Sequence, residues 1–161
     1  LSRTTKTAAV ASAAAAATLA LGLTAAPALA VTPGTFTANL NGTMTINAGV
    51  SATCTSSTLK GSVAADGTTA SYTSASAGGC GVTVTPGALP WSGSFSGGVA
   101  KINGFSMSAV GCTYGGNLTG TYTGTNFPLT VTFANQTVNK TSGLFCPSSA
   151  TVTAKYDYTQ P

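Results

Sequence analysis

Apolar and polar residues alternate along most of the chain beyond residue 30. In TFTANL (35–40), Phe36, Ala38 and Leu40 alternate with Thr35, Thr37 and Asn39, which predicts a strand with one dry and one wet face. TMTIN (43–47) follows across Asn41 and Gly42, the strongest short-range hairpin signal. Further strands are predicted over VSATCT (50–55), LKGSVAA (59–65) ahead of an Asp66, Gly67 turn, TASYTS (69–74) and GVTVT (81–85). Then come GVAKI (98–102) ahead of Asn103 and Gly104, FSMSAV (105–110), NLTGTYT (117–123), LTVTFA (129–134) and ATVTAKYDYT (150–159).

In this part of the chain no segment repeats apolar residues at spacings of three and four over several turns, so no helix is predicted. About ten short strands with Gly and Asn turns describe an antiparallel sandwich or barrel. The sandwich, of Ig-like or Greek-key type, is favoured because two similar halves could supply facing sheets. Its expected core is Phe36, Leu40, Met44, Ile46, Val63, Val82, Val84, Ile102, Phe105, Met107, Leu118, Tyr122, Leu129, Val131, Phe133, Val152, Ala154 and Tyr156, with Trp91 at the edge.

The first thirty residues follow a different pattern. Arg3 and Lys6 precede an uncharged, Ala-rich apolar run from about Ala8 to Leu23, and Ala28, Leu29 and Ala30 form a small-x-small end. This is the pattern of a secretory signal peptide over 1–30, cleaved after Ala30. A membrane-spanning helix is disfavoured, because alanine is weakly apolar and Pro27 interrupts the run. The remaining residues, 31–161, have the size of a single domain.

In an exported chain, Cys54, Cys80, Cys112 and Cys146 are read as two structural disulfides. Four cysteines allow three connectivities, and a weak internal repeat selects one. CTSSTLKGSV from Cys54 resembles CTYGGNLTGTY from Cys112, and each is followed by a second cysteine and an alternating run. Two halves, about 35–100 and 101–161, would each close their own bridge, Cys54 with Cys80 and Cys112 with Cys146.

Charge enters only sparsely. Beyond residue 30 the ionisable acids and bases are Lys60, Lys101, Lys140 and Lys155 against Asp66 and Asp157. Scattered lysines do not form a nucleic-acid footprint, which needs clustered cations. Low charge combined with ample hydrophobicity also excludes the disordered class. Thr and Ser, 25 and 15 of the residues beyond Ala30, take over the solvating role of charges.

The same inventory leaves little for catalysis. There is no His and no Glu, and the two Asp are far apart in sequence. A histidine triad, an ordinary zinc hydrolase and any cofactor or metal site are therefore not expected, and the reading is of a protein that is not an enzyme.

Several motifs yield to plainer readings. The Thr-x-Thr row of Thr119, Thr121, Thr123 and Thr125 is similar to the arrays of ice-binding proteins, but Thr-x-Thr recurs along the chain without a fixed period, so no stacked solenoid is expected. It reads as the wet face of a strand. LPWSG (89–93) resembles a cell-wall sorting signal yet lies far from the C-terminal end of the chain, with no apolar segment and basic tail behind it. Asn41, Asn117, Asn135 and Asn139 match the glycosylation sequon and read as ordinary Thr-rich strand text.

The Ala-rich leader, the Thr/Gly/Ser strands, LPW, GCTYGGNLTGTY and the closing FCPSSATVTAKY resemble small exported actinobacterial β-proteins of uncharacterised function. More distantly, the chain resembles the secreted alkane-oxidation activator and biofilm-matrix proteins. The resemblance implies export and β-structure and carries over no catalytic residue.

The leading functional expectation is a secreted, non-enzymatic surface or extracellular-matrix protein acting by self-association or adhesion, since sheets without edge charges are poorly defended. The alternative is a carrier of an apolar small molecule, with Trp91, Phe95, Phe127 and Phe145 as candidate ligand contacts. A secreted protease inhibitor is the third.

Overall fold

The computed structural model describes residues 30–161; the leader expected over 1–30 lies, apart from Ala30, outside the described residues. Among the described residues no helix forms. Eleven strands do: β1 Gly34–Leu40, β2 Met44–Asn47, β3 Ser51–Cys54, β4 Ser56–Val63, β5 Thr69–Gly78, β6 Val84–Pro86, β7 Trp91–Ser96, β8 Val99–Ala109, β9 Cys112–Thr121, β10 Leu129–Ser142 and β11 Ser149–Thr159. Their chemistry is that of Thr, Val, Ser and aromatic residues, which suit a pleated, half-buried surface.

The expected sandwich does not form. The strands pair in the order β1-β4-β5-β7-β8-β9-β10-β11, and β11 then pairs back with β1. Thr37 lies opposite Thr159 and Leu40 opposite Tyr156. That last ladder closes eight antiparallel strands into a barrel. Closure removes the two outer edges that an open sheet would expose. Nothing local in either strand announces the pairing, because it joins the two ends of the domain.

Residues 34–96 supply β1, β4, β5 and β7, one continuous arc of the ring, and residues 99–159 supply β8 to β11, the other. The bridges join Cys54 to Cys80 and Cys112 to Cys146, one within each arc.

Three strands leave the ring. β2 pairs with the first half of β11, β3 with β2, and β6 with the last part of β8. The Asn41, Gly42 hairpin expected from sequence is therefore corrected. Both β1 and β2 run antiparallel to β11, with Leu40 opposite Tyr156 and Thr45 opposite Thr153. They form one long line interrupted by a bulge.

Gly42 supplies the bulge with φ +85°. The Asn41 backbone N–H donates to Lys155 O at 2.8 Å, and its side-chain amide donates to Asp157 Oδ2 at 2.9 Å. Asn103 and Gly104 behave likewise. β8 runs through them without turning, its register against β9 shifting between Ile102 and Phe105. A third irregularity, at Asn135 with φ 46°, shifts β10 against β11 between Phe133 and Gln136. Bulges bend strands and raise local twist, and these three lie where the closed ring passes into a flared upper part.

The interior of the closed part is filled by side chains, as expected for eight strands. Phe36, Tyr72, Phe95 and Tyr158 are buried together there. Phe95 meets Phe36, Tyr122, Phe127 and Tyr158 edge-on, with ring centroids 5.6–6.3 Å apart. The Tyr72 and Tyr158 hydroxyls share a hydrogen bond of 3.0 Å, and burial pushes both phenols well above their ordinary range. Val31 is buried at the same end, its N–H donating to Gly67 O at 2.9 Å.

The Asp66, Gly67 turn between β4 and β5 forms as predicted. Hydrogen bonds from the Thr69 hydroxyl and from the Thr69 and Thr68 backbone N–H groups hold the Asp66 carboxyl well below the usual carboxylate range.

Of the expected core, Val82 is exposed, Leu40 and Phe105 are half-buried, and the rest is buried. Trp91 is not at the edge. It is 2 % exposed, packs on Phe105, and donates its indole N–H to Gly87 O at 2.7 Å.

Candidate functional site

The two ends of the barrel differ in how much of the interior is filled. At the flared end the ring neighbours of β8 and β11 have been replaced by β6 and by β2 with β3. Inward positions there carry small or aliphatic residues: Ala48 and Ala52 on one side, Val84 and Ala109 on the other, with Ile46, Met107 and Tyr114 as the floor. Small side chains on splayed strands cannot meet across the opening. An apolar cleft of about 610 Å³ results, within the range of roughly 300–1,000 Å³ typical of small-molecule sites. Deeper in the barrel the residual spaces are only about 20 and 30 Å³, about the size that holds a single water.

Both disulfides stand at this mouth, since Cys80 and Cys112 line it. Cys146 ties the β10–β11 loop to the start of β9. The Tyr114 hydroxyl donates to Pro147 O at 3.1 Å and holds the same loop from below.

The loop carries Leu144 and Phe145, 85 % and 103 % exposed, and Val50 and Val110 are nearly as open. Four large apolar residues around one opening form a patch of the kind that marks interaction sites, whereas single exposed ones need no explanation.

Two of them sit in unusual backbone. Val110 and Gly111 close the two-residue β8–β9 hairpin, where Ala109 pairs with Cys112, with φ 51° and 76°. This turn favours Asn, Asp or Gly, and a β-branched residue at positive φ is a genuine outlier. Phe145 has φ 60°. Local strain of this kind costs of order 1–3 kcal/mol and collects at functional positions.

The candidate ligand contacts read from the sequence do not come together. Trp91 and Phe95 belong to the packed interior, and Phe127 lies half-buried against Phe95 at the closed end. Phe145 alone of the four stands at the mouth. Sequence reasoning missed Val50, Val110, Leu144, Met107 and Tyr114. A usable signal existed in the apolar pair of GLFCP and in Val110 before Gly111, apolar residues where turn chemistry calls for polar ones.

The Thr row lies only in part as expected: Thr119 and Thr121 are on the exposed face of β9, opposite the inward Leu118 and Gly120, whereas Thr123 and Thr125 lie beyond the end of the strand, Thr123 exposed and Thr125 half-buried. Among the described residues no group of three or more His, Cys, Asp or Glu is placed to hold a metal, and no helix is long and apolar enough to cross a membrane.

Comparison with curated proteins and with solved structures finds no match. A family model does match, over residues 4–160 and hence nearly the whole chain. The chain belongs to the alkane oxidation protein activator PraA/PraB-like family.

Proposed function

We propose that this protein is a secreted, non-enzymatic binding protein that takes the aliphatic part of an apolar compound into the open end of its barrel. The observation that carries the reading is the apolar cleft of about 610 Å³ rimmed by Val50, Val110, Leu144 and Phe145. Filling it removes from water surface that folding leaves wet, and each Leu- or Phe-sized group so covered contributes about 1.5–3 kcal/mol. The family description, with its reference to alkane oxidation, supports a hydrocarbon-like ligand. The leader pattern and two disulfides support action outside the cell.

Nile red fluorescence tests the reading. The mature protein should bind the dye, and the double variant Leu144→Ser, Phe145→Ser should bind it at least about tenfold more weakly. Both side chains are exposed, so its unfolding free energy should stay within about 0.5 kcal/mol of the parent's. Equal dye affinity in the two proteins would remove the mouth from consideration.

A second reading, self-association as a surface or matrix component, is favoured by the fully exposed Phe145 and by β3, which pairs with β2 alone. Light scattering after size exclusion over a wide concentration range separates the two. Growth of mass with concentration, abolished in the double variant, supports assembly, and a constant monomer mass leaves the carrier.

A further inference from the structure

Charged side chains are rare in this barrel, and most of them stand away from the mouth. Lys60, Lys101 and Lys155 are exposed on β4, β8 and β11, at positions that alternate with buried neighbours such as Leu59, Ala100, Ile102, Ala154 and Tyr156. Asp66 is engaged by Thr68 and Thr69 in the turn at the closed end. Asp157 accepts from Asn41 and Thr130 on the outer wall.

Lys140 is placed differently. It lies two residues beyond Val138, which is fully buried, and opposite Tyr114 in the β9–β10 ladder. Alternate residues of a strand share a face, and so do directly opposed residues of an antiparallel pair. By register the lysine falls on the same face as Tyr114, and its side chain is exposed beside the cleft rather than among those that line it. Tyr114, its ladder partner, lines the cleft. The Lys140 N–H donates to Ser148 O at 2.9 Å, which anchors the residue at the base of the loop bearing Leu144 and Phe145.

We propose that Lys140 makes the mouth a site for an aliphatic carboxylate, the chain lying in the cleft and the carboxylate at the rim against the ammonium. This rests on the reading of the mouth as an apolar-ligand site. Three features select an anionic head over a neutral or cationic one. No acidic side chain lines the cleft. Both carboxylates among the described residues are hydrogen-bonded elsewhere. A lysine can lay its stem along apolar surface while its charge stays in water, where a ligand's head also belongs. By its chemistry such a ligand is what terminal oxidation of a hydrocarbon produces, so the protein would act on the product side of such an oxidation.

Displacement of Nile red from the mature protein at low ionic strength, by laurate, dodecanol and dodecylamine below their aggregation limits, tests this. The three share one chain and differ in head charge. Because the lysine is exposed and screened, laurate should displace the dye about fivefold better than dodecanol, and dodecylamine should be weakest. Lys140→Met should level laurate with dodecanol, and Lys140→Glu should place dodecylamine ahead of laurate, with unchanged thermal unfolding in both variants.

If all three compounds compete equally and Lys140→Glu does not reorder them, the role of Lys140 is overturned while the mouth reading stands. If Nile red does not bind at all, the mouth reading itself is lost and the Lys140 proposal with it. Binding to phosphatidylglycerol vesicles without displacement by monomeric laurate would overturn the proposal in favour of an anionic lipid surface.

Discussion

The closed and open ends of this barrel are built from different strands and held by different physics: the ring of eight encloses the first, whereas β2, β3 and β6 join β8 and β9 around the second. At the closed end, aromatic rings from both arcs interlock around Phe95, and both disulfides lie at the other end. At the open end the inward residues are small, the strands splay, and two covalent bridges take over what packing does not supply. Filled space gives stability and leaves nothing to bind with. Unfilled apolar space does the reverse, and a chain that keeps it needs another means of holding its rim.

The largest expected effect comes from the closed end. Phe95→Ala removes a fully buried ring in contact with at least four others and should lower unfolding free energy by about 3–5 kcal/mol, measured by denaturant titration. Dye affinity of the still-folded fraction should be unchanged. A comparable fall in affinity would mean that the two ends are not separable.

Next in size is the double variant Cys112→Ser, Cys146→Ser. The chain-entropy model assigns the bridge about 3–4 kcal/mol, and here Nile red binding should fall as well, because the bridge ties down the loop carrying Leu144 and Phe145. Lost stability with intact binding would reduce the bridge to a staple.

The smallest effect is acid sensitivity at the Asp66 turn. Its carboxyl is held below its unfolded value, so the unfolded chain takes up the proton first. The contribution is complete above about pH 4 and is lost as pH falls below it. Asp66→Asn should flatten the acid limb of a stability–pH curve, and an unchanged limb would show that the turn does not carry it.

Strand content was legible because alternation is local: Phe36, Ala38 and Val131, Phe133 announce their inward faces without reference to anything else in the chain. The Asp66 turn was legible for the same reason, since its three hydrogen bonds come from residues within three positions. Asn41–Gly42 and Asn103–Gly104 were misread because one local conformation serves both a reversal and a bulge. The choice depends on whether β11 and β9 lie alongside to continue the ladder.

Trp91 and Phe95 were taken for ligand contacts on residue type alone. An aromatic ring has the same chemistry in a core or at a rim, and only its neighbours distinguish the two. Apart from Phe145, the mouth went unread because its residues come from four separated segments that are unremarkable one by one.

The sequence by itself determined the all-β class, the inward and outward faces of the strands and the absence of histidine chemistry, because these follow from residue type and period two. The tertiary structure alone decided that the sheet closes, where it flares and which residues the flare leaves wet. Closure depends on pairing β1 with β11 across the length of the domain, and no term in the local energetics of either strand names its partner.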